Sequence, residues 1–182
     1  MPNANRNEFT DGIWVLKKVD NRALCDSFDC GDDDLNEYFR VDSIAHQQEL
    51  LTQSYCLQSS NYPEIALALL DFCNDAVRIE QYKGLIKIPP HKKYRTLPGV
   101  KLTRFGVQKE LHRTHIGTNA LNMVKKMFIT DNRTGCRLLT VDAYNIPKVL
   151  SFYEKNGFQP FPTNKKNKDT LALFFDLKRL II

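Results

Sequence analysis

The chain has 182 residues, long enough for one domain with a sizeable core, and its 42% hydrophobic and 26% charged residues are ordinary globular values. No apolar run approaches the about 18 residues that a membrane-spanning helix needs. The net charge of +5 hides an asymmetry, since residues 1–90 carry −7 and residues 91–182 carry +12. A basic half fits an anionic ligand or partner, and it equally fits a solvated surface.

The opening "MPNANRNEFTDG" is polar and lacks the apolar stretch of a secretory leader. Cys25, Cys30, Cys56, Cys73 and Cys136 are scattered, with no C-x-x-C pair. They read as reduced thiols in a cytoplasmic protein, with no metal site expected.

In chain order, "IWVLKKV" (13–19) reads as a first strand. "FDCGDDDLNEYF" follows, with a turn at Gly31. Asp32, Asp33 and Asp34 suit a helix N-terminus, where the macrodipole favours carboxylates. "SYCLQ" and "EIALALLDFC" read as adjacent antiparallel strands joined by "SSNYP". The stretch from Asn74 to Gly99, with Pro89, Pro90 and several basic residues, reads as a long surface loop.

"VKLTRFGVQ" is strand-like. After it, Ile116, Ala120, Met123, Val124 and Met127 recur on one helical face. "TGCRLLTVDA" reads as a strand buried on both faces. "IPKVLSFYEKNGF" is a short helix with Pro147 in its first turn and Gly157 at its stop. "DTLALFFDL" closes the chain as a strand. The order β-α-β-β, then β-α-β-α-β-β, predicts an α/β fold with a mixed sheet covered by helices.

Three separated motifs, "RFGVQKELHRTHIGTNALNMV", "VDAYN" and "FYEKNGF", occur in an order that resembles the GNAT superfamily of acyl-CoA-dependent N-acyltransferases. The opening F-x-C-G-x-x-x-L-x-x-Y resembles the GNAT subgroup that includes toxins acetylating aminoacyl-tRNA. The resemblance implies a single GNAT-like domain over residues 1–182, with the cofactor core at about 100–160. It implies a mixed central sheet with helices on both faces and splayed central parallel strands. It also implies acetyl-CoA as co-substrate.

The family's phosphate motif Q/R-x-x-G-x-G/A falls on His112, Arg113, Thr114, His115, Ile116 and Gly117. His112 stands where Gln or Arg is usual, and His115 where the first Gly is usual. A side chain at 115 would be expected to crowd the phosphates. The unpaired N–H groups of the helix's first turn, which includes Thr118, favour an anion there. The resemblance further implies that the pantetheine arm runs along the strand at Gly106 and Val107.

Acetyl transfer to an amine needs loss of an amine proton, stabilisation of an oxyanion, protonation of the leaving thiolate, and close positioning. By resemblance, Tyr153 is the general acid, and Asn145 is a second candidate near a cofactor-contacting position. No carboxylate lies between Val100 and Gln108, so the base is open among water, Glu110 and Asp142. Arg104 is either an anchor for an anionic substrate or a sheet-edge arginine.

The reading is therefore an N-acetyltransferase working by direct attack in a ternary complex. The amine acceptor is a small molecule, a protein or aminoacyl-tRNA. The basic stretches "PPHKKYR" and "KKNK" would suit RNA, and a toxin would carry an antitoxin protein partner. A homodimer is compatible with the sequence, and a membrane partner is not expected. The alternative is a GNAT-fold module that binds CoA or a partner without turnover. A Rossmann or P-loop protein is excluded by the lack of G-x-G-x-x-G and G-K-[ST].

Overall fold

The strand-forming stretches are strands in the computed structural model, which describes all residues except 1–6, 21, 79, 81–85, 87, 89–93, 131, 133, 163–168 and 182. Eight strands form one mixed sheet in the order β1-β2-β3-β4-β5-β6-β8-β7. They are β1 (Glu8–Thr10), β2 (Trp14–Lys18), β3 (Gln53–Ser59), β4 (Ala68–Arg78), β5 (Thr96–Val107), β6 (Leu138–Tyr144), β7 (Gln159–Pro160) and β8 (Thr170–Asp176). The chain groups into two compact units, Met1–Cys73 with Thr103–Met127, and Asn74–Leu102 with Phe128–Ile182.

In the first unit, β2 and β3 pair antiparallel from Trp14–Ser59 to Lys18–Tyr55. β3 and β4 pair from Gln53–Phe72 to Leu57–Ala68, so the hairpin over "SSNYP" is present. The helical run after Gly31 has three parts. These are α2 (Asp33–Glu37), a π-helical turn (Tyr38–Asp42) and α3 (Ser43–Gln48). Asp32 caps α2 by accepting from the Leu35 N–H at 3.1 Å, and Asp33 and Asp34 lie in the helix's first turn. The wider π-turn lets the adjacent Tyr38 and Phe39 both reach the core, together with Phe28, Cys30, Cys56 and Leu69. A short helix, α1 (Ala23–Asp26), precedes them and had no periodic signal.

The long helix α4 (Ile116–Thr130) buries Ile116, Ala120, Met123 and Val124, the face that the periodicity marks. Burial pushes the thiols of Cys25 and Cys136 up to about 11, and Cys56 higher still. These thiols are packed into the protein, and no disulfide joins the five cysteines.

In the second unit, β5 and β6 run parallel, from Gly99–Leu138 to Leu102–Val141. Beyond that register, β6 continues to Tyr144, and the rest of β5, Thr103–Val107, belongs to the first unit. β6 pairs antiparallel with β8 from Leu138–Asp176 to Tyr144–Thr170. Helix α5 (Pro147–Lys155) starts at Pro147 and stops at Gly157, whose φ of +82° suits glycine. A β-carbon at Gly157 would also sit 3.0 Å from the Phe175 ring. Arg137 grips Asp176 at both oxygens, at 2.5 and 2.9 Å, which ties the start of β6 to the end of β8.

The expected loop over Asn74–Gly99 is shorter at both ends. β4 runs on to Arg78, and β5 begins at Thr96. Pro98 and Gly99 therefore lie inside a strand. A β-carbon at Gly99 would stand 3.0 Å from the Leu138 carbonyl, so the missing side chain lets β6 come close. Most of "PPHKKYR" and all of "KKNK" lie outside the described residues.

Candidate functional site

The nine residues expected at the cofactor all belong to the first unit. The N-terminal motif explains how their strand is held. Phe28 and Cys30 press against Gly106, where an added β-carbon would meet Cys30 Cβ at 3.0 Å, Cys30 Sγ at 3.1 Å and Phe28 Cε1 at 3.1 Å. Gly106 is thus needed for packing, whatever its backbone also binds. Replacing it by Val should cost about 1–3 kcal/mol of stability by overpacking, read as a fall in the urea midpoint. An unshifted midpoint would show that this strap is loose.

Asp29 continues the strap across to the end of β5. Its N–H donates to Gln108 Oε1 at 3.1 Å, and its carbonyl accepts from the Lys109 N–H at 2.8 Å. Its carboxylate pairs with Lys109 Nζ at 2.5 Å and accepts from the Gly31 N–H and the Asn36 amide. The Lys109 ammonium first, then these two donors, holds the Asp29 carboxyl far below the usual range. A depressed value stabilises the fold above the ordinary carboxylate pKa of about 4 and is lost as pH falls through the folded value. Asp29→Asn should therefore flatten the acid limb of a stability-versus-pH curve. An acid limb identical to wild type would remove this pair from the account.

Beyond Val107, a 3-10 turn (Lys109–Leu111) leads to the expected phosphate loop. His112 is exposed, and its Nε2 lies 3.0 Å from the Val107 carbonyl, so the ring closes the loop back onto the strand. Thr114 donates its hydroxyl to the Leu111 carbonyl at 2.7 Å. Arg113 and His115 are exposed, and each has φ of +67°. His115 thus takes the left-handed backbone that glycine takes most easily. Histidine is among the residues that reach this region at modest cost. Its carbonyl accepts from the Asn119 N–H at 2.9 Å, as α4 begins at Ile116. Ile116 is buried, while Gly117 and Thr118 are half-buried in the first turn, where N–H groups have no intrahelical partner. His115→Gly should relieve about 1 kcal/mol of backbone strain and raise Tm. A lower Tm would mean that the imidazole itself holds the loop.

A cluster that sequence reasoning missed lies behind this strand. Asp71 on β4 is fully buried and accepts three hydroxyls. Ser54 donates at 2.5 Å, Thr103 at 2.7 Å and Tyr38 at 2.9 Å. Burial pushes the Tyr38 phenol up to about 12. The Arg104 guanidinium stacks 4.8 Å from the Tyr38 ring centroid and donates Nη1 to the Thr103 carbonyl at 3.0 Å. Its Nε is buried without a partner among the described residues. Arg104 is therefore a held, half-buried cation and not a loose edge arginine. The signal in the sequence was a lone aspartate inside the apolar run "LALLDFC", which demands buried partners.

The other two candidates belong to the second unit. Tyr153, on α5, is 6% exposed and sits edge-on to Phe152 and Phe158 at centroid distances of 5.2 and 5.3 Å. Burial raises its phenol well above the ordinary value, so it holds its proton throughout the neutral range. Asn145 is exposed in the turn after β6, and its N–H donates to the Asp169 carbonyl at 2.9 Å. Of the two carboxylates considered as base, Glu110 is exposed in the 3-10 turn, and Asp142 is paired with Lys101 at 2.5 Å. No group of three or more metal-ligating side chains occurs among the described residues.

Neither a family model nor a curated protein matches the sequence. Solved structures do match. AtaT complexed with acetyl-methionyl-tRNAfMet aligns with a TM-score of 0.74 at 21% identity, over 92% of this chain and 96% of that one. The chain shares its fold with AtaT over nearly the whole length of both. AtaTR bound with acetyl-CoA aligns at 0.69 and 22% identity, over 92% and 96% of the two chains. A tyrosine-to-phenylalanine mutant of KacT aligns at 0.70 and 17% identity, over 92% and 97%. The GNAT-like architecture expected from the three motifs is therefore present, with the eight-stranded mixed sheet that carries it. No helix among the described residues is long and apolar enough to cross a membrane.

Proposed function

We propose that the chain is an N-acetyltransferase that uses acetyl-CoA, with aminoacyl-tRNA as its acceptor. The observation that carries this is the loop from His112 to Gly117. It keeps a glycine-like backbone at His115 and opens directly into the first turn of α4. That geometry offers free N–H groups and basic side chains to a pyrophosphate. Gly106 and Val107 would carry the pantetheine amides. The likeness to structures of AtaT with acetyl-CoA and with an acetylated tRNA supports the reading, as does the basic second half of the chain.

In this reaction the amine nitrogen bonds to the acetyl carbon, and the carbon–sulfur bond breaks with its electrons going to sulfur. The amine proton passes to solvent, and the thiolate takes a proton from Tyr153, which solvent replenishes. A phenol carries a proton at neutral pH and can supply that step. The α-amine of an aminoacyl ester is already a weak base, so a strong protein base is not required. The neighbours include AtaT bound to the antitoxin AtaR, and a protein antitoxin is accordingly the partner we propose here.

The test is transfer of radiolabelled acetyl from acetyl-CoA to charged tRNA, uncharged tRNA, small amines and protein lysines. Label on charged tRNA alone is the expected result. Label on small amines or lysines alone would replace the acceptor, and no label anywhere would leave a binding module without turnover.

A further inference from the structure

A cavity of about 290 Å³ opens within the second unit. Its size is at the low end of ligand pockets, which begin at about 300 Å³, so it suits a small group and not a nucleotide. Three neighbouring strands bring charge to it: Asp75 and Arg78 from β4, Lys101 from β5, and Asp142 from β6. Lys101 lies opposite Thr140 in the parallel register, and Asp142, two residues on, shares the Thr140 face. The Thr140 hydroxyl donates to Asp75 Oδ2 at 2.5 Å, and Lys101 Nζ donates to Asp142 Oδ2 at 2.5 Å. Phe161 and Ala172 add an apolar wall.

This arrangement does not serve packing alone. Partly sheltered charges cost desolvation, and their pairing returns little net stability. Lys101 and Asp142 are 34% and 47% exposed, so the pair stays open to a ligand from solvent. The pair also leaves bonding capacity unused. A carboxylate has about four acceptor sites and an ammonium three donors, and each spends one here. The cavity can therefore accept from a cation and donate to an oxygen at the same time. An α-aminoacyl group carries both, with its amine two bonds from its carbonyl carbon. A lysine side chain or a polyamine would satisfy Asp142 and then meet Lys101 and Arg78 as like charges.

We propose that this cavity is the acceptor subsite. It takes an α-aminoacyl group, with Asp142 accepting from the amine, Lys101 donating to the acyl oxygen, and the side chain against Phe161 and Ala172. This deepens the acetyltransferase reading and rests on it for the identity of the reaction.

The experiment measures binding to the full chain without acetyl-CoA, by saturation-transfer NMR, using leucine amide, N-acetyl-leucine amide and cadaverine as probes. Leucine amide should bind, and the other two should not. Asp142→Asn and Lys101→Met should each weaken leucine amide at least about tenfold, the loss of one charged hydrogen bond. Acetyl-CoA affinity should be unchanged in both. The exchange Lys101→Asp with Asp142→Lys keeps an ion pair for folding but reverses its polarity, and leucine amide should still bind poorly. Unchanged amide affinity in the two single variants, or cadaverine binding as well as leucine amide, would overturn the subsite. If the cavity binds the amide but no acceptor is ever acetylated, the subsite stands and the enzymatic reading falls. If charged tRNA is acetylated with a KM unmoved by Asp142→Asn, the enzymatic reading stands and the subsite falls.

Discussion

Tyr153→Phe is expected to lower kcat by about 10²–10⁴-fold, the range for loss of a positioned general acid. Acetyl-CoA affinity should not change, because none of the proposed cofactor contacts involves the phenol. Folding should hardly suffer, since the ring keeps its edge-on contacts with Phe152 and Phe158. The pH profile carries the sharper signature. Burial raises the phenol above its ordinary value of about 10, so an alkaline limb due to this group should fall above that pH. An unchanged kcat would remove Tyr153 from the reaction, and a weakened acetyl-CoA affinity would recast it as a binding residue.

Asp71→Ala is expected to cost about 3 kcal/mol, because removing one member of a buried network strands the others. The hydroxyls of Ser54, Thr103 and Tyr38 converge on this carboxylate from β3, β5 and the π-turn. Thr103 retains a bond to the Asp71 backbone carbonyl at 3.0 Å, so the loss falls mainly on Ser54 and Tyr38. For a domain of this size each 1 kcal/mol shifts Tm by about 2–4 °C, so a fall of about 6–12 °C should appear. Arg104 should loosen as well, since Tyr38 is the ring it stacks on. A Tm equal to wild type would mean that water replaces the carboxylate without penalty.

Local signals carried most of the architecture. The strand-like stretches "IWVLKKV", "SYCLQ" and "VKLTRFGVQ" fall on β2, β3 and the core of β5, helical spacing marked the buried face of α4, and Pro147 with Gly157 bounded α5. What stayed hidden was set by distant partners. Asp71 reads as a flaw in an apolar strand until Tyr38, 33 residues before it, and Thr103, 32 residues after it, close around it. Pro98 and Gly99 carry turn chemistry, yet they lie in β5 because β6 needs the space that glycine leaves. β1 has three residues and exists only as a partner for β2.

The loop shows the same limit at a single residue. His115 breaks the glycine pattern by residue type, which argued for crowding at the phosphates. Its φ of +67° keeps the backbone path, and its side chain is exposed. A glycine at this position could take the same left-handed backbone that His115 takes. Likewise, the F-x-C-G opening acts through packing, with Phe28 and Cys30 against Gly106 and Asp29 bonded to Gln108 and Lys109.

On the proposed function, the turn from His112 to Gly117 receives the pyrophosphate of acetyl-CoA. Calorimetric titration of the purified chain with acetyl-CoA tests it most directly, with CoA and ATP as controls and a folded Gly117→Val variant beside the wild type. Acetyl-CoA and CoA should bind at about micromolar Kd, ATP weakly or not at all, and the variant should lose binding. No heat with acetyl-CoA, or equal binding by Gly117→Val, would contradict it.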